Sequence, residues 1–132
     1  MIEILQKNRR EWVKLYFKVN DKEPIYMQII RHIKVSLVIG TLLPGDIIPS
    51  RRELAEMLKV NPNTVQRAYR EMEGSRLIET VRNFPSKITT NENIIKAVKE
   101  ELLKDSIDTF INSMKELKIS KEDVINIIKE NY

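Results

Sequence analysis

With 132 residues, the chain has room for one ordinary domain and an appendage but not for a large enzyme domain. It has no Cys, which excludes disulfides and thiolate metal sites. Its single His would leave any metal dependent on carboxylates alone, so neither a metal nor another cofactor is expected. The net charge of +4 is unevenly spread: residues 1–90 carry 16 Lys/Arg against 10 Asp/Glu, and residues 91–132 carry 7 against 9. A basic front suits a polyanion, and a mildly acidic back suits another task.

No apolar run is long enough to cross a bilayer, and Glu3, Gln6 and Lys7 stand where a signal peptide would place its apolar stretch. A cytoplasmic protein without a membrane partner is expected. Residues 1–14 show a thin amphipathic pattern through Ile2, Leu5 and Trp12, and residues 15–19 are β-prone. After a turn at 20–23, Pro24 suits the first helical position, because its missing N–H needs no intrahelical partner. Tyr26, Ile29, Ile30, Ile33 and Leu37 then share one helical face until Gly40, with His32 on the flank as a boundary residue.

Leu43-Pro44-Gly45-Asp46 fits a type II turn, with Pro fixing φ at the second position and Gly accepting positive φ at the third. Ser50 and Glu53 form a capping box that opens a second helix, which buries Leu54, Ala55 and Leu58 and ends near Lys59. Asn61-Pro62 opens a third helix two or three residues later, and two short helices joined so tightly predict a helix-turn-helix. On the third helix, Val65, Ala68, Tyr69 and Met72 make a core stripe, while Asn63, Gln66, Arg67 and Arg70 face out. After Gly74, residues 77–81 and 86–90 change period and predict a two-stranded wing around Arg82-Asn83-Phe84-Pro85.

The outward stripe holds the side chains that the DNA major groove calls for. Arg can donate two hydrogen bonds to guanine and Asn or Gln can pair with adenine, each good pair discriminating by roughly 1–3 kcal/mol. Asn63, Gln66, Arg67 and Arg70 are therefore the base-contact candidates. Asn61 and Thr64, with free backbone amides at the helix start, suit phosphate oxygens. Ser50 caps the second helix, while Arg51 and Arg52 sit at the positive end of its dipole, where a cation invites an anionic partner.

No enzyme is expected. There is no Cys, no His near a nucleophile and no Gly-rich phosphate loop, since Gly40, Gly45 and Gly74 stand far apart. Glu100 and Glu101 read as a solvated face.

PIYMQIIRHIK (24–34), LLPGDIIPSRRELAEMLKVNPNTVQRAYREME (42–73) and LIET (77–80) closely resemble the DNA-binding domain of GntR-family regulators in order and spacing. The resemblance covers about half the chain. It implies a winged helix-turn-helix that binds palindromic operator DNA as a homodimer, mostly as a repressor released by an effector. It also implies DNA contacts by Arg52, Asn61, Asn63, Thr64 and Arg67. The wing departs from the family's Gly-rich turn: VRNFPSKIT (81–89) has no Gly, so Asn83 is expected at positive φ. Minor-groove contacts by Arg82, Asn83 and Lys87 depend on that turn.

The 42 residues after the wing are too few for a large ligand-binding domain, and the tail resembles that of the YtrA subfamily, whose two helices serve dimerisation. Independently, Thr90 or Asn91 can cap a helix to about residue 118, and Ser120 opens a second helix to about 129. In the first, Leu103, Ile107, Phe110, Met114 and Leu117 alternate four and three apart; with Ile111, Ile125 and Ile128 they form a seam that needs a partner. The expected architecture is mainly α with a small β-wing. It comprises an N-terminal extension and short strand (1–23), a winged helix-turn-helix (24–90) and a two-helix dimerisation or effector segment (91–132). The rival expectation is a protein-interaction module on the same scaffold with lost DNA binding, and a small-molecule effector of unknown identity stays open.

Overall fold

A computed structural model describes residues 15–132, so the helix expected within 1–14 lies outside the described residues. Five helices and two short strands follow in chain order: α1 (Ile25–Ile39), α2 (Arg51–Leu58), α3 (Pro62–Gly74), β1 (Ile78–Glu79), β2 (Lys87–Ile88), α4 (Glu92–Glu116) and α5 (Lys121–Asn131). They fall into two compact units, one ending at Val98 and the other running from Lys99 to Tyr132.

In the first unit, residues 15–19 are not a strand. Leu15 is buried, and the chain then runs irregularly to α1. The loop that follows, 20–23, is tied to α1 by a side chain. Gln28, buried on α1, accepts from the Asn20 amide at 3.0 Å and donates to the Asn20 and Glu23 carbonyls at 2.8 and 2.7 Å. Pro24 stands one residue earlier than expected, as the N-cap of α1. Ile29, Ile33 and Leu37 of the expected stripe are buried, whereas Tyr26 and Ile30 are only half-buried. His32 is a boundary residue, its ring 4.6 Å from that of Phe17.

The turn after α1 closes as its sequence requires: Gly45 has φ 83° and the Asp46 amide donates to the Leu43 carbonyl at 3.0 Å. It leads into a segment that joins the wing, with Ile47 bridging Lys87 and the Ile48 amide bonded to the Ser86 carbonyl at 3.0 Å. β1 and β2 are antiparallel, pairing Ile78 with Ile88 and Glu79 with Lys87. Ile78 and Ile88 turn inward, so a sheet of only two-residue strands stays on the core with α3's Val65, Ala68, Tyr69 and Met72.

Ser50 accepts from the Glu53 amide at 3.1 Å and Asn91 from the Asn93 amide at 2.9 Å. Helices α2, α3 and α4 end without glycine in the left-handed position: Lys59, Arg76 and Lys118 take φ of 56–63° there. The following amides of Val60, Leu77 and Ile119 then reach back five residues to satisfy the last carbonyls.

In the second unit, Ser120 caps α5 through the Asp123 amide at 3.2 Å. α5 folds back on α4, and Ile107, Phe110, Ile111 and Met114 face Ile119, Val124, Ile125 and Ile128 across an apolar groove of about 530 Å³. No residue of α5 is buried. Every residue of the expected seam except the half-buried Met114 is exposed, Leu103 and Leu117 most of all at 57% and 66%.

Candidate nucleic-acid interface

The interface is built on α3. Asn61 caps the helix by accepting from the Asn63 amide at 2.8 Å, and Pro62 occupies the first helical position. The amides expected to be free for phosphate are already engaged, because those of Thr64 and Val65 bond the Asn61 carbonyl. What α3 offers at its start is therefore side chains, Asn61, Asn63 and Thr64, with the positive end of the helix dipole behind them.

Val65, Ala68, Tyr69 and Met72 are inaccessible or nearly so, which fixes the rotation of the helix. Asn63, Arg67 and Arg70 are consequently exposed, while Gln66 and Thr64 lie half-buried at the edge of the same face. Arg67 is not a free arm. Its guanidinium carbon lies 3.8 Å from the centre of the Tyr26 ring, Nη2 donates to the Tyr26 hydroxyl at 3.1 Å, and Nε lies 3.5 Å from a Glu71 carboxylate oxygen.

The two arginines at the start of α2 separate sharply. Arg52 is exposed. Arg51 pairs with Glu73 of α3 and lies over the Tyr69 ring at 5.2 Å, and its Nε is buried without a hydrogen-bond partner. Tyr69 itself donates its hydroxyl to the Pro49 carbonyl. Burial pushes its phenol well above the usual range, against the pull of the nearby Arg51 charge. Arg51 and Tyr69 thus lock the start of α2 and Pro49 before it to α3.

At the wing tip, Asn83 takes φ 69°, the conformation expected of it in place of glycine, and the Phe84 amide closes the turn on the Val81 carbonyl at 2.9 Å. Arg82, Asn83 and Lys87 are exposed, and so are the apolar Val81 and Phe84. The hydroxyls of Thr80 and Ser86 meet at 2.6 Å where the strands enter the wing loop. Sequence reasoning missed Tyr26, which it placed in the core, and the carboxylates of Glu71 and Glu73. Glu71 was legible, lying four residues beyond Arg67 on one helix. Glu73 pairs across 22 residues and leaves no local signal.

Among the described residues, no three His, Cys, Asp or Glu side chains gather as a metal site, and no helix is long and apolar enough to cross a membrane. Two tightly joined helices, a wing and an outward amide-and-guanidinium face define a winged helix-turn-helix DNA-binding protein. The family described as bacterial regulatory proteins, gntR family, matches residues 25–87.

Among individual proteins, the transcriptional regulator YhcF of Bacillus subtilis is 43% identical over 107 residues, covering 81% of this chain and 88% of YhcF. The transcriptional repressor YtrA of the same organism is 42% identical over 91 residues, covering 64% and 70%. The structure of a GntR family transcriptional regulator from Listeria monocytogenes superposes with a TM-score of 0.80 at 38% identity, covering 86% of this chain and all of that one. The chain belongs to the GntR family and is a DNA-binding transcription regulator, not an enzyme.

Proposed function

We propose that the protein is a cytoplasmic repressor that binds a palindromic operator as a homodimer. The observation that carries this reading is the division of α3: Val65, Ala68, Tyr69 and Met72 are buried while Asn63, Arg67 and Arg70 face out. Asn63, Gln66, Arg67 and Arg70 read base edges in the major groove. Ser50, Asn61 and Thr64 position the backbone through phosphate, Arg52 contacts a base edge or phosphate, and Arg82, Asn83 and Lys87 reach the adjacent minor groove from the wing. Arg51 contributes its charge to the same edge while its guanidinium ties α2 to Glu73.

Two copies are joined through the tail, and we assign the apolar groove between α4 and α5 to that contact rather than to an effector. An isologous dimer matches the two-fold symmetry of a palindrome. The likeness to YtrA, named a repressor, supports the direction of regulation. The exposed Val81 and Phe84 favour the rival, a scaffold that contacts protein instead of DNA.

Fluorescence polarisation with DNA from the protein's own promoter region separates the two. Operator binding is expected at nanomolar to sub-micromolar protein in physiological salt. Arg67→Ala and Arg52→Ala should each weaken it by roughly 1–3 kcal/mol per lost base contact. Equal affinity for promoter and scrambled DNA, or no loss in either variant, overturns the reading.

A further inference from the structure

Tyr26 lies on the same stripe of α1 as Ile29 and Ile33, yet those two are buried and Tyr26 is not. Its ring and hydroxyl both meet the guanidinium of Arg67 on α3, 41 residues away in sequence. Three contacts hold that guanidinium at once: its face on the Tyr26 ring at 3.8 Å, Nη2 to the hydroxyl at 3.1 Å, and Nε beside Glu71 at 3.5 Å. The Arg67 side chain nevertheless stays 60% exposed, so it is held without being hidden.

A free arginine carries large rotamer entropy that must be surrendered when its planar fork docks on a base. Here much of that ordering is done before DNA arrives. One N–H of Nη2 goes to the phenol and Nε lies beside the carboxylate, which leaves the second Nη2 proton and the Nη1 proton next to it as two adjacent donors. That pair of adjacent donors is what a bidentate contact with guanine requires.

We propose that Tyr26 is a positioning residue for Arg67: ring and hydroxyl together preset the guanidinium for base recognition and set how strictly one base pair of the operator is read. This rests on the assignment of Arg67 as a base contact. Tyr26 is not itself required to touch DNA.

The test is a double-mutant cycle on the full-length protein, titrated with its promoter operator and with single-base-pair variants of it. Tyr26→Phe keeps the ring and removes the hydroxyl, with an expected loss of about threefold in affinity. Tyr26→Leu removes both, with an expected loss of about tenfold. The Tyr26→Leu variant should also discriminate less at the one base pair where Arg67→Lys discriminates less.

In the Arg67→Ala and Arg67→Lys backgrounds, Tyr26→Leu should cost little further, because the partner it positions is gone or reshaped. Thermal unfolding of Tyr26→Phe should match the parent, which separates positioning from folding. If Tyr26→Leu costs the same with and without Arg67, or leaves the base-pair preference unchanged, the inference is wrong while the operator-binding reading stands. If the unaltered protein fails to prefer its operator, both fall.

Discussion

Tyr69 concentrates more of the fold in one side chain than any other residue of α3. It is fully buried, its hydroxyl donates to the Pro49 carbonyl, and its ring carries Arg51 on one face. Removing the donor strands a buried carbonyl, so Tyr69→Phe should cost about 1–3 kcal/mol at neutral pH. Burial holds the folded phenol above its ordinary pKa of 10.0, with Arg51 opposing and Glu53 adding to the rise. A raised folded pKa means that the hydroxyl's contribution is complete below about pH 10, where both states are protonated. Above that, the unfolded chain releases a proton that the folded chain keeps, and the contribution declines by up to about 1.4 kcal/mol per pH unit. The stability difference between the parent and Tyr69→Phe, from denaturant titrations, should be flat from neutral pH to about 10 and then shrink. A difference that stays flat through about pH 11 would show that the phenol ionises freely in the folded protein.

Among the elements, α2 shows how two neighbouring and chemically identical residues come to different ends. Both Arg51 and Arg52 stand in the first turn, at the positive end of the helix dipole, and only the family resemblance, which implies a DNA contact by Arg52, separates them in sequence. The structure separates them through Glu73 and Tyr69, which reach Arg51 only because α3 crosses α2. Arg51→Ala should therefore lower stability by about 1 kcal/mol, a figure kept small because the ion pair is a third exposed. Arg52→Ala should unfold like the parent. Thermal or urea unfolding of the two variants checks the contrast, and equal midpoints would mean that the Glu73 pair contributes nothing measurable.

The same limit runs through the rest of the chain. Caps at Ser50, Asn61, Asn91 and Ser120 and the turn at Gly45 were legible because each depends on residues within three or four positions. The apolar stripe of α3, and with it the outward direction of Asn63, Arg67 and Arg70, followed from period alone. What escaped was set by distant partners. Gln28 is buried because the 20–23 loop supplies two carbonyls and an amide to its side chain. Tyr26 looked like core because periodicity cannot tell a residue facing the interior from one facing an arginine of another helix.

For the whole molecule, the proposed dimer would make the tail decide how strongly the interface can act. α4 and α5 leave Leu103, Ile107, Phe110, Ile111, Leu117, Ile125 and Ile128 exposed, and five of these line one apolar groove, surface of the kind that marks an interaction site. Covering it with a second copy joins two α3 helices, and binding of the second half-site becomes intramolecular. Linking two sites in this way typically raises affinity by about 10²–10⁴-fold. Phe110→Asp places an unpaired charge in that surface and leaves the sequence of the DNA-binding unit unchanged. Sedimentation equilibrium should then show a monomer at micromolar concentration, and operator affinity should fall by about 10²-fold or more. The dependence of log K on log salt should fall to about half its parent slope, since each neutralised phosphate contributes about 0.9 and half the contacts are gone. A variant that stays dimeric, or a monomer that keeps the parent affinity and salt slope, would sever tail from operator and leave α3 acting alone.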